Sequence, residues 1–292
     1  MPGNTYTVDS PLGHGEACVD WRPLALLAPL FLFLVVFFLG PLFINFQQSI
    51  RAPDGASLTG AYYLKIFSDS YYLVVLLQTV LLGLVVVAVC IIAGYPMAYV
   101  VARSRGRART LLVFVLVAPL LVSVVVRSFG WMVILGSDGM INSMLKFFGL
   151  PGIKLMYTWT GITIALVHVL LPFMVLAIAS TIETLDSSME EAAQVLGARR
   201  LQVFRYVLLP LSLEGIITGS ILTFTLTVGS FVTVMLLGNN ATMVLPLLIY
   251  QRLTVASDWP TAAALGIVLL LVVVVFLWLQ ARLHRRTKRE RP

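Results

Sequence analysis

The stretch MEEAAQVLGARRLQVFRYVLLP, residues 189–210, lies between two long apolar runs and neither crosses a membrane nor reads as a plain connector. Leu185, Met189, Ala192 and Leu196 fall on one helical stripe, and Leu201, Phe204 and Leu208 on a second. That spacing predicts two short amphipathic helices lying near a membrane surface. Gly197 stands between them, where a helix can end in the left-handed conformation that other residues adopt only at a cost. Ser187 or Ser188 is placed to cap the first helix, with Glu190 and Glu191 in its opening turn, where the helix dipole favours acids. Pro210 has no amide to donate and marks a break before the next apolar run.

The surroundings of this stretch are those of a polytopic membrane protein. Of 292 residues, 59 % are apolar and only 11 % charged, outside the range of an ordinary soluble domain. Six apolar runs are long enough to cross about 30 Å of hydrocarbon. They predict helices over 24–46, 72–101, 111–135, 158–180, 215–237 and 260–281. The first run is too long for a cleavable signal and is expected to remain as a helix. No period-2 alternation in ten-residue blocks suggests a transmembrane barrel.

Basic residues set the expected orientation, because short loops rich in Lys and Arg stay on the cytoplasmic side. One side holds Arg22, then Arg103, Arg105, Arg107 and Arg109, then Arg199, Arg200 and Arg205, then the cluster from Arg282 to Arg291. The other holds only Arg51, Lys65, Lys146, Lys154 and Arg252. Both termini and the quoted stretch are therefore expected in the cytoplasm. The net charge of +7 is mostly this topological signal, and its dispersal among the ends of separate spans speaks against nucleic-acid binding. Residues 1–23 read as a cytoplasmic tail, 24–281 as the membrane domain with a core over about 70–281, and 282–292 as a basic cytoplasmic tail. Cys18 lies in the first tail and Cys90 in the second span, so a disulfide between them is not expected. His14 beside Cys18 makes too few ligands for a structural metal, and none is expected.

The connection over residues 183–212 is far longer than an ordinary link between helices. Its pattern is Glu191-Ala192-Ala193, then Gly197, then Val207-x-Leu209-Pro210. It resembles the EAA signature of the permease subunits of bacterial ATP-binding-cassette importers, with Val207 where the family usually has Ile. The segment VRSFGWMVILGSDGMINSMLKFFGL, residues 126–150, looks like the third span and following loop of spermidine/putrescine permeases. The resemblance implies an all-α, six-span, MetI-like permease in the bacterial inner membrane. In that family the loop is a coupling helix seated in a groove of a cytoplasmic ATPase. The coupling residues it implies are Glu190, Glu191, Ala192, Ala193, Gly197, Leu209 and Pro210. The implied partners are a second homologous permease, two ATPase subunits that bind ATP and Mg, and a periplasmic substrate-binding protein. The implied cargo is a polyamine, with an opine, amino-acid derivative, thiamine, ferric iron or oxyanion carried on the same scaffold as alternatives. One coupling loop per chain also fits a pair of permeases, since an ATPase dimer offers two grooves.

No GxxxxGK[ST] phosphate loop and no catalytic constellation occurs in the sequence, so the chain reads as a transport subunit without catalytic residues of its own. Candidate pathway residues are the polar positions of apolar spans. Ser123, Arg127 and Trp131 lie at i, i+4 and i+8 in the third. Thr223, Thr227 and Ser230 recur at helical spacing in the fifth, after a Gly215-x-x-x-Gly219 pair suited to close helix packing. Arg127 is expected to bond carbonyls or a partner's carboxylate, and Trp131 to offer an aromatic face to an ammonium group or to anchor at the interface. His168 in the fourth span reads as a packing residue. An ion-driven secondary transporter is the competing class, but it requires intramembrane acids, and none lies within the six expected spans.

Overall fold

The computed structural model of the chain describes residues 21–52 and 57–289. His14 and Cys18 of the first tail and Arg291 of the basic tail lie outside the described residues. Two units are distinguished, Met1–Asn45 and Phe46–Pro292. The described part of the first begins with α1, Trp21–Leu34, followed by a π-turn, Val35–Leu39, and the start of α2, Gly40–Ile50. Side chains such as Phe31, Phe37 and Phe38 are exposed, as suits a helix surrounded by lipid.

The second unit is built on three helices. They are α4 (Ser70–Arg103), α8 (Trp159–Glu183) and α12 (Leu213–Val228), which pack mutually. Their buried residues recur every three or four positions: Tyr72, Val75, Thr79, Leu82, Val86 and Cys90 on α4, and Ile162, Leu166, Leu170, Met174 and Ile178 on α8. Small residues let the backbones approach. A methyl group at Gly215 would lie 2.6 Å from the Ala177 carbonyl oxygen and 2.9 Å from Ile178 Cα, and one at Gly219 only 2.6 Å from Met174 Sδ. The Gly215/Gly219 pair therefore packs α12 onto α8.

Around this core stand α3 (Ala61–Ser68), α5 (Gly106–Val117), α6 (Val124–Leu135), α7 (Met140–Phe147), α13 (Val232–Leu237), α14 (Leu245–Thr254) and α15 (Trp259–Arg289). Phe224 of α12 stacks on Phe276 of α15 with ring centroids 3.6 Å apart. Buried hydroxyls and amides tie the remainder. Thr79 Oγ1 accepts the amide of Leu245, the first residue of α14, at 2.9 Å, satisfying a donor that the helix itself cannot pair. Asn142, buried on α7, donates to the carbonyls of Gly136 and Ile153 at 2.9 and 3.0 Å and accepts the Ile153 amide at 2.7 Å. One side chain thus closes the loop from 136 to 153.

Among the described residues, five helical stretches are long and apolar enough to cross a membrane, Pro29–Ile50, Ser70–Arg103, Val124–Phe147, Trp159–Glu183 and Trp259–Arg282. The bent pair Arg200–Leu211 and Leu213–Val228 makes a sixth when taken as one span. Three expected helices need correction. The single helix over 111–135 is divided by a 3-10 turn, Ala118–Leu121, and by extended Val122, where Pro119 has no amide to continue the helical ladder. The helix over 215–237 ends at Val228, resumes at Val232, and is broken at Gly229 and Ser230 between them. The last helix does not stop at 281 but carries the basic residues onward to Arg289.

Replacing Gly215 with Leu is expected to force α12 away from α8 and cost about 1–3 kcal/mol. Gly130→Ala, at a position with nothing within 4 Å, should leave stability unchanged or raise it slightly. Thermal unfolding of the detergent-solubilised chain, followed by tryptophan fluorescence, compares the two.

Candidate functional site

The long connection folds as two short helical pieces, as its two stripes predict. The first is α9, Ser188–Val195. The second begins as α10, Arg200–Val203, and runs through a π-turn, Phe204–Leu208, into α11, Leu209–Leu211. Gly197 has φ of +88°. Its amide bonds the Gln194 carbonyl at 2.9 Å and the Ala198 amide bonds Ala193 at 3.0 Å, the paired reverse bonds that close a helix on a left-handed residue. The expected serine cap is replaced. Ser187 makes no side-chain cap bond, and Asp186 Oδ1 instead accepts the Ser188 amide at 2.9 Å. The amide and hydroxyl of Ser188 hold the Asp186 carboxyl below the usual carboxylate range. The cap is thus present at neutral pH and is lost only as pH falls through that lowered value.

The faces of this segment differ from a helix lying flat on lipid. Val195 and Leu196 are 87 % and 88 % exposed, and Met189 and Leu201 also point outward. Glu191 and Ala192 share the open side and Ala193 is half-buried. Phe204, Leu208 and Leu209 turn inward against the core, so the expected second stripe is split between Leu201 and the other two. Pro210 lies in the last turn before Ser212, where the chain bends by 67° into α12.

Glu190 faces the other way and is 7 % exposed. Its Oε2 accepts the Tyr99 hydroxyl at 3.0 Å and its Oε1 pairs with Arg103 Nη2. Arg103 Nη1 also donates to the Leu185 carbonyl at 3.2 Å. Further along α4, Tyr95 Oη and Ser212 Oγ are 2.8 Å apart, and the Tyr95 ring meets Phe204 edge-on at 4.9 Å. Between these ties lies a cavity of about 790 Å³ lined by Ile91, Tyr95, Tyr99, Glu190, Gln194 and Arg200. Tyr95, Tyr99 and Arg103 stand at i, i+4 and i+8, one face of α4, and that spacing is the signal of this site in the sequence.

The candidate pathway residues are not brought together as one wall. Thr223 and Thr227 are buried inside the bundle, with Thr227 Oγ1 bonded to the Thr223 carbonyl at 2.7 Å. Ser230 is half-buried and bonded to Leu226. Ser123 is exposed at the start of α6, and Arg127 and Trp131 follow it on the same helix. Arg127 Nε and Nη1 are buried and find no partner among the described residues, so the expected carbonyl bonds of these atoms are not made. Trp131 Nε1 donates to His168 Nδ1 at 3.3 Å, with the rings edge-on. Both open on a cleft of about 690 Å³ lined also by Val89, Trp159, Thr160 and Thr163. His168 is thus a cleft residue, and Trp159, Thr160 and Thr163 join it, a tryptophan and two hydroxyls within one turn and a half of α8.

A bundle of lipid-length helices carrying an outward-facing, charged helical segment and an aromatic-lined cleft is the layout expected of a membrane transport subunit. Residues 91–289 match the model of the binding-protein-dependent transport system inner membrane component, and the chain belongs to that family. It is 31 % identical over 274 residues to the spermidine/putrescine transport system permease protein PotB of Haemophilus influenzae, covering 90 % of this chain and 96 % of that protein. It is 35 % identical over 200 residues to the sulfate transport system permease protein CysT of Salmonella typhimurium, covering 66 % and 71 %. In fold it is similar to a chain of a bacterial ABC transporter involved in import of the acidic polysaccharide alginate, with a TM-score of 0.73 at 18 % identity over 94 % of this chain and 97 % of that one. The chain is an inner-membrane permease subunit of an ABC importer with a MetI-like fold.

Gly197→Val places a branched side chain at positive φ and is expected to cost about 1–2 kcal/mol locally. Faster tryptic cleavage at Arg199 and Arg200 in membranes, with the remainder of the chain unchanged, is the outcome that checks it.

Proposed function

We propose that the chain forms one half of the translocation pathway of a polyamine importer, paired with a second, homologous permease, with both termini in the cytoplasm. Cargo would arrive from a periplasmic binding protein, and two ATPase subunits holding ATP and Mg would supply the energy. The PotB likeness carries the cargo reading, because it runs over nearly the whole of both chains. The contact with an ATPase is assigned to the open face of α9. There Met189, Val195 and Leu196 offer apolar surface, Ala192 permits close approach, and Glu191 presents a carboxylate to a basic groove. Gly197 turns the chain at the tip, and Leu209 and Pro210 fix its return to α12. Trp131 and Trp159 give the cleft two aromatic rings, which suit an ammonium group.

A second reading follows from Arg127. Two unpartnered guanidinium donors within a span favour an anion, and an oxyanion is the cargo that the CysT likeness supports. On the polyamine reading, those donors are met instead by an acceptor of the second permease.

Uptake of radiolabelled spermidine, putrescine and sulfate by cells expressing the full complex separates the two. Polyamine uptake that is lost in Glu191→Lys, with the permease still in the membrane, is the expected result. Sulfate uptake without polyamine uptake would replace the cargo and leave the importer. Undiminished uptake in Glu191→Lys would remove the assignment of α9.

A further inference from the structure

We infer that Glu190 is the link through which movement of α9 reaches the central helix α4, so that two adjacent acids divide the coupling between them. Glu191 faces outward to the ATPase and Glu190 faces inward to the bundle. The inference rests on the assignment of α9 as the ATPase contact.

Along the chain the coupling segment is joined only to α8 and α12. Nothing covalent ties it to α4, although α4 packs on both of those helices and runs the full depth of the bundle. Side-chain packing does not fill the space between them either, for there lies the cavity of about 790 Å³. Force crosses that gap at two places. One is the Glu190 carboxylate, held by the Tyr99 hydroxyl and the Arg103 guanidinium, which also grips the Leu185 carbonyl just before α9. The other is the contact of Tyr95 with Ser212 and Phe204 at the bend into α12.

The first tie has the properties a mechanical link needs. Glu190 is buried, and its charge is answered from two residues at once, so pulling it away would leave a carboxylate without compensation. The bonds are charge-assisted and directional, which resists both sliding and separation. By contrast Arg109 and Glu183, 2.6 Å apart, are both well exposed and tie α5 to α8 in water. On this account α9 and the last turns of α4 move as one body. The flexing is left to Gly197, in its left-handed conformation, and to the bend at Ser212.

The test uses the assembled complex, with nitroxides at Ser187, the N-cap of α9, and at Ile92 on α4, both exposed positions. Pulsed electron spin resonance measures their separation without nucleotide and after trapping with ATP and vanadate. The expected result is one narrow distance common to both states. In Glu190→Ala that distance broadens and becomes state-dependent, uptake falls by about tenfold or more, and the ATPase still co-purifies and hydrolyses ATP. Exchanging the pair, Glu190→Arg with Arg103→Glu, restores the narrow distance and part of the uptake. A native distance that changes on trapping would overturn the inference, as would full uptake with an unchanged distance in Glu190→Ala. Failure of the ATPase to co-purify with the native permease would instead overturn the assignment of α9, and the inference with it.

Discussion

Inside hydrocarbon a helix gains little by exchanging lipid for another apolar surface, so helices are held together by how closely their backbones approach. In this chain that requirement is met where α12 crosses α8 at Gly215 and Gly219 and where α4 meets Phe224 at Gly83. A methyl group at Gly83 would lie 2.7 Å from the Phe224 ring, which in turn stacks on Phe276. The glycines therefore set the spacing of the three central helices and, through one aromatic pair, the position of α15. The other elements of the second unit are arranged on a frame whose dimensions these contacts fix.

Away from the frame, polar groups take over, because a lone amide or hydroxyl in a dry environment is costly and so becomes a specific fastener once paired. Thr79 holds the start of α14, Asn142 closes the loop after α6, and Ser128 Oγ and Thr233 Oγ1, 3.2 Å apart, join α6 to α13. These ties permit short, broken helices to sit against the core without long apolar faces. At the two interrupted spans the backbone turns on local bonds instead, Val122 to the Pro119 carbonyl and Gly229 and Ser230 to those of Thr225 and Thr227.

Six apolar runs and a long amphipathic connection were legible in the sequence because both signals are periodic and extend over many residues. Gly197 as a turning point was equally legible, since only the backbone conformation at one position had to be inferred. Less could be read where a residue's role depends on which neighbour it meets. Glu190 and Glu191 look alike in a helix's first turn, and nothing in the sequence distinguishes the one that meets Tyr99 and Arg103, residues some ninety positions away. Thr223 and Thr227 carry a period that suits a cleft wall and a packed interface equally, and both are buried among the helices. The cleft itself joins Trp131 on α6 to Trp159 and His168 on α8, a pairing fixed by the crossing of helices.

The adjacency of the two acids has a geometric reason. Successive residues of a helix point about 100° apart, so neighbours cannot share a face, whereas residues three or four apart can. A short helix held between an outer partner and the bundle needs contacts on two different sides at nearly the same height along its axis. Two carboxylates in consecutive positions meet that need within a single turn, leaving the rest of α9 free to present small and apolar residues. Separating them by three or four positions would bring both onto one face and leave the other without a charged anchor. The Glu-Glu-Ala-Ala order at 190–193 is thus what a helix of two turns requires if it is to grip on one side and be gripped on the other.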